Sequence, residues 1–302
     1  MSAFTPLYFL SGPTASGKTS VAHHLAEKMG LRLLSVDSMM VYRQMDIGTA
    51  KPTAEEIATY HYAGLNLAEP GEDFSTGKWL RTISKELDDR PTLAVGGTGL
   101  YFRAVIDGLP PESAASNRLE VLSAENLRAK IKVLDADALN QLADPWNPRR
   151  LERALQRLES GNPLPKAWAD RAGFPVAVLR RPVEELNQRI HQRAEKMFQE
   201  GLLEETQALL DQGNLVGTAA QAIGYREAQA VLENSLGKEE ALEALATRTR
   251  RYAKRQRTWF RNQMDSKWVD IESDSSLENI TDKVAEIWQD CGSFLFDRNL
   301  YA

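Results

Sequence analysis

The chain has 302 residues, a formal net charge of -5 and one cysteine, Cys291. That length buries a full α/β core with room for a second lobe, and the charge argues against a surface that coats nucleic acid everywhere while leaving room for a local basic patch. A single thiol excludes an intrachain disulfide and a cysteine-rich zinc module, and no apolar run approaches the ~18 residues of a membrane span.

In chain order, the apolar stretch 7–11 reads as a strand running into Gly12-Pro13-Thr14-Ala15-Ser16-Gly17-Lys18-Thr19 and then into a helix over 20–29. Residues 31–36 make a second strand, ending in Asp37-Ser38, and a polar stretch through Lys51-Pro52 leads to helices over 53–62 and 74–87. The second of these has Trp79, Leu80, Ile83 and Leu87 at helical spacing. A short buried-type strand over 92–95 breaks into Gly96-Gly97-Thr98-Gly99 before a helix over 100–106. This alternation of strand and helix predicts a parallel sheet.

Pro110-Pro111 and Ser113-Ala114-Ala115-Ser116-Asn117 mark a boundary, and from 118 to about 170 the pattern is helical only. The chain returns to the sheet with a strand over 176–179. Helices over 183–199, 203–210, 219–233 and 238–264 follow, then a strand over 267–271 and a helix over 276–289. The expected architecture is therefore α/β: a core from 1–112 and 172–302, with a helical insertion over 113–171.

The G-x-x-x-x-G-K-[ST] run is a phosphate-binding loop. Backbone N–H groups at a helix start lack intrahelical partners and carry the positive end of the dipole, so they cradle a polyphosphate. Lys18 adds a point charge, and the hydroxyl of Thr19 is placed to take Mg²⁺. Asp37 sits just past the carboxyl end of the second strand, where open α/β sheets put their ligands; it suits either a metal held through water or proton abstraction from a nucleophile. A local cap or turn at Asp37 or Ser38 is the competing reading. Where many P-loop NTPases close a strand with a metal-binding Asp, this chain has Gly96-Gly97-Thr98, which weakens an ATPase reading. His23, His24, His61 and His191 show no metal-ligand spacing.

Between 248 and 261 lie seven basic residues and no acid: Arg248, Arg250, Arg251, Lys254, Arg255, Arg257 and Arg261. On a helix Arg250, Lys254, Arg257 and Arg261 form one stripe, a footprint for phosphates or, more plainly, a solvated face that packs through Tyr252, Trp259 and Phe260. A second cluster, Arg149-Arg150-Leu151-Glu152-Arg153, sits in the insertion with Trp146 and Trp168 nearby.

Six blocks, spread in order from Leu7 to Trp268, resemble the bacterial tRNA dimethylallyltransferases: the phosphate loop; Asp37-Ser38-Met39-Met40-Val41-Tyr42; Asp46-Ile47-Gly48-Thr49-Ala50-Lys51-Pro52; Gly96-Gly97-Thr98-Gly99-Leu100-Tyr101; Ile223-Gly224-Tyr225-Arg226-Glu227; and Ala253-Lys254-Arg255-Gln256-Arg257-Thr258-Trp259-Phe260-Arg261. The resemblance implies a P-loop kinase-like parallel sheet flanked by helices, with an inserted all-helical lobe that grips the tRNA anticodon stem-loop. It implies transfer of a dimethylallyl group from dimethylallyl diphosphate to N6 of the adenosine 3′ of the anticodon, in tRNAs reading codons that begin with U. Residues 12–19 would hold the diphosphate, Thr19 the Mg²⁺, Asp37 would take the N6 proton and Thr98 would hydrogen-bond near the reacting centre. It further implies tRNA contacts at Asp37, Ser38, Met39, Met40, Thr98, Arg118, Arg149, Arg150, Leu151, Glu152 and Arg153. A cytoplasmic monomer is expected.

The chain departs from the family pattern at Leu142-Ala143-Asp144-Pro145-Trp146-Asn147, where Arg-Ile-His-x-Asn-Asp is common, and at Met40 and Arg251, each in place of a frequent Gln. A P-loop kinase for small molecules or nucleotides, a prenyltransferase for free adenine nucleotides, and an RNA-binding P-loop protein without chemistry are the alternatives.

Overall fold

The computed structural model describes residues 3–109, 122–142, 144–164 and 171–301. It divides into two compact units, Met1–Gly108 with Ala172–Ala302, and Leu109–Arg171. Arg118 and Trp168 lie outside the described residues.

The first unit begins β1 (Phe4–Ser11), α1 (Lys18–Met29), β2 (Arg32–Val36), α2 (Ala54–Thr59), α3 (Thr76–Glu86), β3 (Thr92–Gly96) and α4 (Gly99–Asp107). The second unit holds α5 (Ala124–Leu134), α6 (Ala138–Gln141) and α7 (Pro148–Glu159). The first then resumes with β4 (Pro175–Arg180), α8 (Val183–Gln199), α9 (Leu202–Asp211), α10 (Tyr225–Leu232), α11 (Lys238–Gln263), β5 (Asp265–Asp270), α12 (Leu277–Cys291) and β6 (Phe294–Asp297).

Five strands pair in parallel in the order β2-β3-β1-β4-β5, the arrangement of P-loop kinases. Strands covered on both faces read as continuous apolar runs, and every residue of β3 is buried. On one face Val21 and Leu25 of α1 and Ile280, Val284 and Trp288 of α12 pack against Leu10, Leu33, Leu93 and Leu179. On the other, Phe9 meets Phe102 of α4 edge-on at 5.9 Å, and Phe102 meets Phe260 of α11 at 5.6 Å.

The register sets up the site. Ser11 lies opposite Gly96, and Gly96 opposite Val36, so the loop after β1, the Gly97-Thr98 turn after β3 and Asp37 after β2 emerge side by side at the carboxyl ends of these strands. Gly96 is required there: a Cβ would lie 2.0 Å from the Val36 carbonyl oxygen.

Two elements differ from the sequence expectation. The helix expected over 219–233 is broken into a short 3₁₀ turn, Ala219–Gln221, and α10, because Gly224 takes φ 103°, a left-handed conformation that ends one segment and starts the next. Strand β6 had no expectation; Phe294–Asp297 runs antiparallel to the start of β1, with Phe4 opposite Asp297 and Leu7 opposite Phe294.

In the second unit α5 and α7 pack around Leu127, Ile131, Leu151 and Leu155, with Ala138, Leu139 and Leu164 closing the cluster. Helix α7 starts where Asn147 accepts a hydrogen bond from the Arg150 amide at 3.3 Å and Pro148 occupies the first turn, both favourable start signals.

Candidate active site

The loop over 12–19 ends on Gly17 at φ 94°, and α1 begins with no side-chain cap, so its first amides are left for a ligand. Ala15 also takes a positive φ of 63°. The buried Ser16 Oγ has no hydrogen-bond partner among the described residues, a donor left over for a ligand oxygen. Lys18 Nζ donates to Pro13 O at 2.9 Å; enclosure of its ammonium end, with Arg193 adding repulsion and Asp37 opposing, pushes its pKa down to about 8.

Helix α8 and the residue pair before it brace this loop from behind. Arg181 Nε donates to Ser16 O and Arg189 Nε to Ala15 O, each at 2.8 Å, and a Cβ on Gly17 would come within 3.6 and 3.7 Å of their guanidinium groups. Arg193, one turn on, donates to Thr49 O at 3.2 Å. From α11, Gln256 accepts from the Thr14 amide at 2.8 Å and donates to Gly97 O at 3.0 Å, tying the loop to the β3 turn. None of these four side chains stands out in the sequence as a site residue.

Asp37 Oδ1 accepts from the Met39 amide at 2.9 Å, the local turn expected as the competing reading. That turn does not consume the carboxylate, because Oδ2 takes no hydrogen bond among the described residues. Thr98 Oγ1 accepts from the Ser38 amide at 3.0 Å, so Asp37, Ser38 and Thr98 form one constellation. Tyr252 of α11 lies beside Thr98 and Gln256, and burial with Asp37 nearby pushes its phenol up. Met40 is turned to Ser35, whose hydroxyl lies 3.6 Å from its sulfur.

Thr14, Asp37, Ser38 and Met39 open onto a cavity of about 430 Å³. Its lining combines the cations Arg193, Arg248, Arg251 and Arg255 with the apolar side chains Ile190, Met197, Ala222, Ile223 and Leu245. The basic stripe facing Asp37 is therefore not the Arg250, Lys254, Arg257, Arg261 set: Arg250 pairs with Thr247 and Glu243. The wall over 46–49 is held by Glu205 of α9, whose carboxylate accepts from the amides of Asp46, Ile47 and Gly48 and from the Tyr225 hydroxyl at 2.6 to 3.1 Å.

The second unit carries the other predicted contacts. Arg149, Arg150 and Arg153 are exposed on α7 and Glu152 is half-buried. Leu151 is fully buried in that unit's core, where the helical period turns it inward between the arginines.

Among the described residues no cluster of three His, Cys, Asp or Glu is built for a metal. Mg²⁺ nevertheless fits the donor set: Thr19 is exposed at the start of α1, hard oxygen chemistry is available at Asp37, and this ion keeps waters and phosphate oxygens in preference to an all-protein cage. No helix among the described residues is long and apolar enough to cross a membrane.

The IPP transferase model matches residues 40–263 and an isopentenyl transferase model residues 5–63. A tRNA dimethylallyltransferase of Synechococcus sp. (strain CC9902) is 37% identical over 90% of this chain and 95% of its own length. One from Anoxybacillus flavithermus is 36% identical over 96% and 98%. The tRNA isopentenylpyrophosphate transferase structure from Bacillus halodurans is 31% identical, covers 94% of this chain and 97% of that one, and superposes with a TM-score of 0.65. A eukaryotic dimethylallyltransferase acting on tRNA, 20% identical over 93% of this chain and 78% of that one, shares the fold with a TM-score of 0.77.

Proposed function

The chain belongs to the IPP transferase family and is a tRNA-modifying prenyl transferase, and from that premise we propose how its strand-end site carries the reaction. The donor is dimethylallyl diphosphate. Its diphosphate lies on the amides of residues 12–19 with Lys18, and its five-carbon group lies in the apolar part of the cavity, against Ile190, Met197 and Leu245. The single observation that carries this reading is that one cavity is lined by Thr14 of the phosphate loop, by Asp37 and by the apolar side chains Ile190, Met197 and Leu245 together.

The acceptor is N6 of the adenosine 3′ of the anticodon, in tRNAs reading codons that begin with U. Its lone pair is delocalised into the purine ring, so the donor carbon must be strongly activated. As the C1–O bond breaks, its electron pair goes to the diphosphate, and the loop amides and Lys18 stabilise the charge that grows there. The N6–C1 bond forms, and the N6 proton passes to Asp37 Oδ2. Thr98, anchored by the Ser38 amide, holds the nucleobase edge beside Asp37. Mg²⁺ bound through Thr19 and the donor's phosphate oxygens would supply further charge neutralisation on the leaving group. Products are N6-isopentenyladenosine in tRNA and diphosphate.

The base must leave its stack to bring N6 to Asp37. Arg149, Arg150 and Arg153 are the phosphate contacts of the helical unit, which holds the anticodon stem-loop, and the protein works as a cytoplasmic monomer. The kinase alternative has only the shared fold behind it.

The test is to supply undermodified tRNA, Mg²⁺ and dimethylallyl diphosphate labelled in the prenyl group, beside a reaction given ATP alone. Label appearing on RNA with one diphosphate released per transfer is expected; phosphoryl transfer from ATP without prenylated RNA would overturn the reading.

A further inference from the structure

Trp146 is 56% exposed, the one exposed tryptophan among the described residues, while Trp79 and Trp288 are at 0% and 4%. It falls in the stretch where this chain leaves the family pattern. The Arg128 guanidinium, reaching over from α5, lies 3.9 Å above the centre of its ring and hydrogen-bonds to Pro145 O. With one ring face covered by that cation, the exposure belongs to the opposite face and the edge.

The backbone around the indole is fixed on both sides. The Trp146 amide donates to Asp144 Oδ1 at 3.1 Å, Asn147 caps α7, and Pro148 follows. The ring is thus presented rather than loose, and Arg149, Arg150 and Arg153 follow within two turns on the exposed side of α7.

We propose that Trp146, backed by Arg128, is a stacking platform for an unpaired base of the tRNA substrate. The proposal rests on tRNA being the acceptor and adds a recognition residue that the family's motifs do not contain. A packing role would bury the indole. A protein partner would call for apolar neighbours, and here Asp144, Arg149 and Arg150 are charged and exposed. A flat π-face ringed by cations suits a nucleobase whose phosphates lie close by, and unpaired bases are the ones with a face to offer.

The experiment compares wild type, Trp146→Ala and Trp146→Phe in steady-state prenyl transfer to undermodified tRNA, and titrates wild type and Trp146→Phe with the same tRNA while following tryptophan fluorescence. Loss of a base stack raises the tRNA KM about tenfold in the alanine variant. Its kcat and donor KM should stay within twofold, and the salt dependence of binding should keep its slope because no phosphate contact is removed. Phenylalanine should restore KM to within threefold, and part of the quench seen on tRNA binding should vanish with it. An unchanged tRNA KM in Trp146→Ala, or a quench identical in wild type and Trp146→Phe, would overturn the proposal. If the alanine variant does not fold, the quench decides. A wild-type protein that transfers no prenyl group would instead sink the underlying reading, and the quench by tRNA would still report on stacking.

Discussion

The strand-end site and the basic face of the helical unit use arginine in opposite ways. Behind the phosphate loop, Arg181 and Arg189 are half-buried and spend their donors on the backbone carbonyls of Ser16 and Ala15. On α7, Arg150 and Arg153 stand exposed. The first arrangement fixes a geometry before the ligand arrives, which is what stabilising a leaving group demands. The second keeps reach, which suits a long anionic surface bound through many weak contacts. Substitutions should therefore act on turnover and donor use in one region and on tRNA affinity, salt dependence or local stability in the other.

The largest effect expected is at Asp37. Asp37→Ala should lower kcat by about 10³-fold, the range for a general base, while tRNA affinity measured by filter binding stays within a few-fold. Unchanged turnover would remove Asp37 as the base and erase the contrast.

Next is Leu151, which sits among surface arginines in sequence but in the core of the helical unit in structure. Leu151→Ala should destabilise that unit by about 2–5 kcal/mol, read by hydrogen exchange in α5 and α7, with the salt slope of binding at the folded protein intact. A loss of slope without a loss of protection would mean that it contacts RNA after all.

Lys18 gives a smaller, pH-dependent effect. Its pKa is already near 8 in the free protein, so kcat/KM for the donor should fall as pH rises through about 8, where the ammonium is lost before the diphosphate arrives. Stability runs the other way. The unfolded chain binds the extra proton between about pH 8 and the ordinary lysine value, so the unliganded fold gains stability across that window. Lys18→Arg should abolish the alkaline fall, and Lys18→Ala should raise donor KM about tenfold or more. A flat profile in the native enzyme would contradict the assignment.

The gentlest change is to neutralise Arg149, Arg150 and Arg153 together. The slope of log K against log salt should become shallower by about 2, at roughly 0.7–0.9 for each phosphate no longer neutralised, with kcat preserved at saturating tRNA. An identical slope would make the cluster a bystander.

What is legible in the sequence follows the same division. The loop, Asp37 and Thr98 are visible because their geometry leaves fixed residue types behind: a Cβ on Gly97 would meet Gln256 at 2.1 Å, and one on Gly99 would meet Trp259 at 2.0 Å. The sheet is visible because doubly covered strands must be apolar. Arg189 and Gln256 are not visible as loop supports, since they arrive from 174 and 242 residues away, and an arginine on an amphipathic helix looks like any solvated charge. The cavity-facing set Arg248, Arg251 and Arg255 could be found by testing each face of α11 against Tyr252. The break at Gly224 is readable only as a glycine inside a helical pattern, and β6 is too short to stand out until β1 offers it an edge.

The most direct measurement is a crystal structure with a non-transferable thio analogue of dimethylallyl diphosphate. The diphosphate should lie on the amides of residues 12–19 beside Lys18, with the prenyl tail against Ile190, Met197 and Leu245 and its C1 open toward Asp37. A diphosphate seated elsewhere, or a tail pointing away from Asp37, would contradict the proposed mechanism.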